Sequence, residues 1–404
     1  MRRRGEDLPL PREVRVLAIV AFVVALGFGV VAPAIPLFVR DYGVGTTAVG
    51  FAVSAFAFFR FVSAFGSGSL VERAGERVVL AAGLVVVAVT TGAAGFAGNF
   101  PLFVGLRAAG GVGSAMFTVA ALSLLLRTAP AAQRGRAAAT YQGGFILGGI
   151  AGPAAGGFLA EISPRVPFFV YAGFLLVAGA VALVLLRPAA LPPVGTPPAA
   201  TAAADEDRAP APGLRSALRS RAYLAALVAN LGVGWVLFGV RNSLVPLYVT
   251  EELGQTVAWA GAGLLAGSVA QAVGLLRAGR LSDSWGRRPS LVLGTGLATA
   301  SIAVLVLPPS TVVFLLAMAT FGLGASLLAS VPAAVVGDVS PARGGRVVAV
   351  FQMVADLGAV TGPLVAGWLT DAFSFQVAFA VSAGVLGLGL LAALAMPRTV
   401  RPAA

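Results

Sequence analysis

The chain has no cysteine, no histidine and no lysine among its 404 residues. Without cysteine there is no disulfide, no thiolate metal site and no thiol nucleophile. Without histidine, the usual zinc centres and histidine-based acid–base chemistry are excluded as well. Charge of either sign is scarce, at 11% of residues against 58% hydrophobic, and the mean hydropathy is +0.93. A water-soluble protein of this size exposes too much surface to carry that composition. Lipid as the outer solvent removes the conflict. The 52 glycines and 25 prolines are high for soluble helices and ordinary for transmembrane bundles. No paired carboxylates, nucleophile–base couple or metal-ligand cluster stands out, so neither an enzyme nor a bound cofactor or metal is expected.

All 28 basic residues are arginine, and with 16 acidic residues the net charge is +12. Such a balance can signal nucleic acid. Here the arginines flank apolar stretches, as the positive-inside rule describes, so the expected partner is a lipid bilayer and not nucleic acid. A spanning helix needs about 20 apolar residues. Twelve such stretches are predicted, over residues 14–39, 47–70, 77–97, 100–126, 136–160, 167–186, 222–249, 257–279, 289–307, 310–336, 346–370 and 375–396. The basic residues before the first read as a retained cytoplasmic tail, since no small-residue cleavage site comes after a short apolar core.

Between the sixth and seventh stretches, 187–221 is rich in Pro, Ala and charge (Pro192-Pro193, Pro197-Pro198, Asp205-Glu206-Asp207) and reads as a linker. With both termini placed in the cytoplasm, the inner segments carry 23 arginines and the outer loops only Arg40 and Arg165. That asymmetry supports an even number of spans and a multi-pass protein of the plasma (inner) membrane. The remaining three, Arg60, Arg107 and Arg241, fall inside predicted helices.

The two halves repeat. Gly68 to Arg77 (GSLVERAGER) aligns with Gly279 to Arg288 (GRLSDSWGRR), Pro36 to Val39 with Pro246 to Val249, and Gly148 to Gly157 (GGIAGPAAGG) with Gly358 to Gly367 (GAVTGPLVAG). Each offset is 210 or 211 residues. The expected fold is therefore an all-α membrane protein of twelve transmembrane helices in two pseudo-symmetric six-helix bundles. Residues 1–186 form the first bundle, 187–221 a cytoplasmic linker and 222–404 the second. Two such bundles create a central interface where a substrate can sit.

At these residues the chain resembles the major facilitator superfamily over nearly its whole length. Gly68, Leu70, Arg73, Gly75 and Arg77 match that family's G-x-L-x-D-R-x-G-R-R signature, with Glu72 and Glu76 as departures. Gly279, Leu281, Asp283, Gly286, Arg287 and Arg288 repeat it, with Ser284 in place of the first Arg. Arg107, Gly111 and Gly113 resemble its R-x-x-x-G-x-G signature, whose equivalent in the second half begins with Met318. Gly148, Gly152, Pro153, Gly156 and Gly157 are similar to the G-x-x-x-G-P-x-x-G-G signature of drug/proton antiporters. The resemblance implies alternating access, a cavity lined by helices 1, 4, 7 and 10, and export driven by protons.

Cost singles out the candidate site residues. Charges inside a bilayer are expensive and usually functional. Arg60 lies mid-way along helix 2, and Asp356 is the one acid well inside a predicted span. In the family's architecture helices 2 and 11 face each other, which places an Arg60–Asp356 ion pair at mid-depth. It is read either as a proton-sensitive link between the halves or as a static structural pair. Arg107 heads a polar stripe with Gly111, Ser114 and Thr118 at 100° per residue. Helix 7 offers one polar face with Asn230, Arg241 and Tyr248 and another with Trp235, Asn242 and Pro246. Arg107, Ser114, Thr118, Trp235 and Asn242 are the candidate cavity residues. Arg241 either faces the cavity or snorkels to the outer interface.

Glu72 and Asp283 are candidate latches, their acids placed near helix N-termini where the dipole favours negative charge. Arg73, Arg77, Arg287 and Arg288 are the opposing charges. The glycines of helix 5 serve close packing, antiport or both.

The function expected is a proton-coupled exporter of small amphiphilic molecules, working as a monomer with protons and a small-molecule substrate as its ligands. A metabolite importer and a transport-inactive membrane sensor on the same fold are the alternatives.

Overall fold

The computed structural model describes residues 9–130, 133–186, 214–339 and 345–397. The linker up to residue 213, both tails and several inner-segment arginines (Arg2, Arg3, Arg4, Arg187, Arg208, Arg343, Arg398, Arg401) lie outside the described residues. Among the described residues, twelve helices are long and apolar enough to cross a membrane. They are α1 (Arg12–Arg40), α2 (Thr46–Ala74), α3 (Glu76–Ala94), α4 (Phe100–Thr128), α5 (Arg136–Ile162), α6 (Val166–Leu185), α7 (Arg221–Glu252), α8 (Val257–Trp285), α9 (Arg287–Val306), α10 (Thr311–Val339), α11 (Val347–Ala372) and α12 (Phe375–Leu394). All twelve coincide with the stretches read from hydropathy. The largest difference is at the end of α8, which continues past the expected residue 279 to Trp285.

The packing repeats as the sequence does. In the first half α1 packs on α5, α2 on α4, and α3 on α4 and α6. In the second half α7 packs on α11, α8 on α10, and α9 on α10 and α12. Glycine makes the closest contacts possible. A Cβ at Gly152 would stand 2.5 Å from the Leu26 carbonyl oxygen and 2.6 Å from the Gly29 Cα. Gly148 and Gly156 press on the Phe22 and Val30 carbonyls of α1 in the same way. The equivalent Gly358 and Gly362 press on Leu231 and Trp235 of α7.

The repeated loops have a physical logic of their own. Single glycines, Gly75 and Gly286, separate α2 from α3 and α8 from α9, at φ 80° and φ 99°. Only glycine takes such a backbone without strain. Arg77 then donates to the Leu183 carbonyl at the end of α6, and Arg288 Nη2 donates to the Leu394 carbonyl (2.7 Å) at the end of α12. Both arginines thus satisfy a helix C-terminus, where the dipole favours a cation.

Next to them an ion pair appears twice with its polarity reversed. In the first half Glu76 accepts from Arg127 Nε at 2.8 Å, and in the second Arg287 Nε donates to Asp338 at 2.8 Å. The four positions are related by the 211-residue offset, 76 to 287 and 127 to 338. Reversing either charge of the first pair alone, Glu76→Arg or Arg127→Glu, is expected to cost up to about 1 kcal/mol, as partly exposed pairs do. The double variant should recover that loss in thermal unfolding; no recovery would mean that the pair adds nothing to stability.

Candidate functional site

Two helix pairs form the main seams between the halves, α2 with α11 and α5 with α8, and α7 also meets α1 and α2. The joint is tight toward the ends with few arginines. A Cβ at Gly50 would collide with the Pro363 carbonyl, and one at Gly261 would stand 2.7 Å from the Pro153 carbonyl oxygen. Gly157 lies against Val257, Ala258 and Gly261, and its equivalent Gly367 lies against Thr46 and Thr47. The helix 5 signature is thus two-sided. Gly148, Gly152 and Gly156 pack within the first half, while Pro153 and Gly157 meet the second.

Polar contacts finish this seal. Asp371 on α11 accepts from the Thr46 amide (2.8 Å), the Thr47 amide (2.7 Å) and the Thr47 hydroxyl (2.6 Å). Glu161 on α5 accepts from the Ala258 amide (3.2 Å). Ser54 Oγ donates to the Val360 carbonyl (2.6 Å). Arg40 Nε pairs with Glu251 at 2.9 Å. Arg40 and Glu251 are 211 residues apart, so the pair joins the corresponding ends of α1 and α7, the first helices of the two halves.

Toward the arginine-rich ends the seam parts. Beyond Ser54 and Val360 a cavity of about 100 Å³ opens, lined by Arg60, Phe61, Ala64, Ala115, Thr118, Val119 and Asp356. The structure therefore brings Arg60, Asp356 and Thr118 to one cavity from three helices and both halves. It corrects the expected ion pair: Arg60 and Asp356 are not within the 4.0 Å of a salt bridge. The physical reason is the divergence of α2 from α11 at this depth. Gln352 is exposed and gives Asp356 no hydrogen bond. On the second seam the equivalent positions are Gln271 and Ile146, so at this depth only the α2/α11 seam carries charge.

Arg107 is 5% exposed on α4, with its guanidinium 4.5 Å from the centre of the Phe56 ring on α2. Its Nε has no hydrogen-bond partner. A desolvated cation–π contact offers about 2 kcal/mol, less than the several kcal/mol that burying an unpaired ion costs. Packing alone does not account for Arg107. Gly111, one turn on, lets the α4 backbone lie against Phe56 and Arg60 of α2. Ser114 is half-buried and accepts from Thr118 Oγ1 at 2.8 Å through its carbonyl.

Other expected residues are placed elsewhere. Trp235 does not line a cavity between the halves. It is 9% exposed, and its Nε1 donates to Ser382 Oγ on α12 (3.1 Å) inside the second bundle. Arg241 does not snorkel. It is 8% exposed and donates through Nη2 to the Leu264 carbonyl (2.9 Å) and Ser268 Oγ (3.0 Å) of α8. Asn230 Nδ2 donates to the Phe351 carbonyl (2.7 Å), and Tyr248 packs edge-on to Phe379 and Phe375. Asn230, Trp235, Arg241 and Tyr248 are therefore all engaged within their own half. Asn242 is half-buried on the same helix.

The expected latches also differ. Arg77 and Arg288 hold helix ends. Asp283 pairs with Arg287 at 2.7 Å within one loop, and Glu72 and Arg73 are exposed, with no ion pair to a described residue. Gly68 and Gly279 face open space.

Asp371 and Glu161 were missed because each falls just past the end of an apolar stretch. The repeat itself holds the signal. Each acid comes four residues after the glycine signature, Gly157 to Glu161 and Gly367 to Asp371.

Twelve spans in two like halves, with charges facing a cavity at their seam, define a multi-pass membrane transporter. The Major Facilitator Superfamily model matches residues 17–266 and 234–404, and the chain belongs to that superfamily. It is similar to Multidrug resistance protein 1 of Bacillus subtilis (strain 168), 25% identical over 387 residues, covering 93% of this chain and 94% of that protein. It is also similar to Quinolone resistance protein NorA of Staphylococcus aureus, 28% identical over 180 residues, a match spanning 44% of this chain and 45% of that one. Among solved structures, a bacterial homolog of the human lysosomal transporter Spinster, in an inward-facing and unoccupied conformation, superposes with a TM-score of 0.79 at 15% identity, covering 96% of this chain and 97% of the other. A D-xylose–proton symporter gives 0.73 at 19% identity, covering 96% and 98%. At these identities the structures establish the fold.

Proposed function

We propose that the protein exports small amphiphilic molecules in exchange for protons, by rocking its two halves about the α2/α11 and α5/α8 seams. The arginine-rich face is cytoplasmic in this reading, with both termini on that side, so the conformation is open to the cytoplasm. Residues 1–186 and 222–404 are the moving bodies, joined by the linker at 187–221.

The observation that carries the proposal is the placement of Asp356 and Arg60. They come from opposite halves and face one cavity at the depth where the seam parts. When the arginine-rich ends close, Arg60 and Asp356 approach and attract; a proton on Asp356 removes the attraction and favours separation. Binding and release of one proton thereby bias a two-state element. The glycines at the open end support the closure. Gly66, Gly68, Gly143 and Gly279 have nothing within 4 Å of a Cβ here, although a mid-helix glycine costs roughly 1 kcal/mol relative to alanine. Close approach of helices in the other conformation gives them a use. The names of the two relatives, multidrug and quinolone resistance proteins, favour export. Arg107, buried over the Phe56 ring with its Nε unpaired, receives an anionic or polar group of the substrate or tunes the proton site.

Reconstitution into liposomes with a pH-sensitive dye inside tests the proposal against a panel of compounds. Substrate addition should move protons opposite to the substrate. Movement of both in one direction would indicate an importer. Ligand binding with no flux would indicate a sensor.

A further inference from the structure

Helices normally satisfy their first amides with a residue just before them, as Asn99 does for the Leu102 amide of α4 and Ser374 for the Val377 amide of α12. Of the six helices that begin at the arginine-poor face, four (α2, α6, α8 and α10) make no such bond, and α2 and α8 are the two that meet the other half there. The residue before α2 is Gly45, which has no side chain to offer, and Thr256 before α8 makes no side-chain capping bond. Their caps come from the other half of the molecule. Asp371 of α11 takes the Thr46 and Thr47 amides and the Thr47 hydroxyl, and Glu161 of α5 takes the Ala258 amide. The arrangement is two-fold: positions 161 and 371 are equivalent, as are 47 and 258. Gly45 is also where a Cβ would stand 2.5 Å from an Asp371 carboxylate oxygen, so the absent side chain makes room for the cap.

We propose that Asp371 and Glu161 are a matched pair of helix caps delivered across the seam, and that they set how readily the arginine-poor face opens. Opening that face must pull each carboxylate from the amides it satisfies and from the positive end of the helix dipole. The capped state is thereby favoured until another interaction compensates. The caps are unequal. Asp371 makes three bonds of 2.6–2.8 Å and Glu161 one of 3.2 Å, so the α2/α11 seam is the firmer one. It is also the seam that carries Arg60 and Asp356. A single helix pair therefore holds the proton-sensitive charges at the depth where it parts and its strongest lock at its sealed end.

The inference rests on the alternating-access reading, and the test separates the two. The chain has no cysteine, so Phe96→Cys with Leu307→Cys gives one spin-labelled pair. These exposed residues stand at equivalent positions beyond α3 and α9 at the sealed face. Distances between the labels are measured by pulsed electron resonance in lipid nanodiscs. Asp371→Ala should raise the ratio of long to short distances roughly ten-fold, as loss of a helix cap does. Glu161→Ala should raise it less. Thr47→Val, which keeps both amide bonds, should also give a smaller shift and guards against a misfolded Asp371 variant.

An unchanged ratio in folded Asp371→Ala protein, in a parent that shows both distances, overturns the caps and leaves alternating access standing. One fixed distance in the parent, with and without substrate and at every pH tried, overturns alternating access and the caps with it.

Discussion

Asp356→Asn is expected to lower substrate-dependent proton movement by about 100-fold, the lower end of what a positioned proton-transfer group contributes. The variant keeps the size and hydrogen-bonding capacity of the side chain but cannot gain or lose a proton. Asp356 shares its cavity with Arg60 from the other half, so the substitution removes the pH-sensitive part of their attraction. Folding should be intact, because Asp356 makes no ion pair in this conformation whose loss would strand a partner. Substrate counterflow, which needs the halves to move but no net proton transfer, should persist. Proton movement at the parental rate would remove Asp356 from the coupling role.

Gly152→Val is expected to act on folding before it acts on transport. The new Cβ alone would stand 2.5 Å from the Leu26 carbonyl oxygen and 2.6 Å from the Gly29 Cα, both backbone atoms that no rotamer change can move aside. Its neighbours Gly148 and Gly156 fix the same face of α5 on α1, so the helix cannot pivot away locally. Overpacking of this kind costs about 3 kcal/mol or more. The outcome should be a sharp fall in folded protein recovered from membranes and in its unfolding temperature. Gly149→Val, one face round on the same helix with open space beside it, should be tolerated. Equal stability of the two variants would contradict the α1–α5 packing.

Hydropathy alone located all twelve spans, because a bilayer demands long apolar runs and this chain has little charge to confuse them. The duplication was equally plain, since Gly75 and Gly286 or Pro153 and Pro363 answer geometric demands that both halves share. The site was legible where it rested on cost: Arg60, Asp356 and Arg107 are charges in a region that penalises charge.

Placement that depended on rotation about a helix axis was not legible. In α7 the 100° per residue rule sorted polar residues into two faces. The helix is π-helical at Gly234–Val240 and again at Tyr248–Glu252, and each such turn rotates the residues after it about the axis. Arg241, which directly follows the first of these segments, consequently turns into its own bundle. At the repeated loops Asp283 meets Arg287, one of the opposing charges expected for it, whereas Glu72 has no ion pair to a described residue. Asp371 and Glu161 escaped because acids at span ends look like ordinary interfacial charges; only the three-dimensional meeting with α2 and α8 gives them a partner.

The central claim is that the α5/α8 and α2/α11 seams must open at the arginine-poor face for transport to proceed. The direct test is a reversible lock across one of them. Gly157→Cys with Ala258→Cys places two thiols where the α5 and α8 backbones touch, a Cβ at residue 157 standing 3.3 Å from the Ala258 Cα, in a chain with no other cysteine. Oxidation should stop transport in liposomes and reduction should restore it. Undiminished transport with the cross-link quantitatively formed would contradict the account.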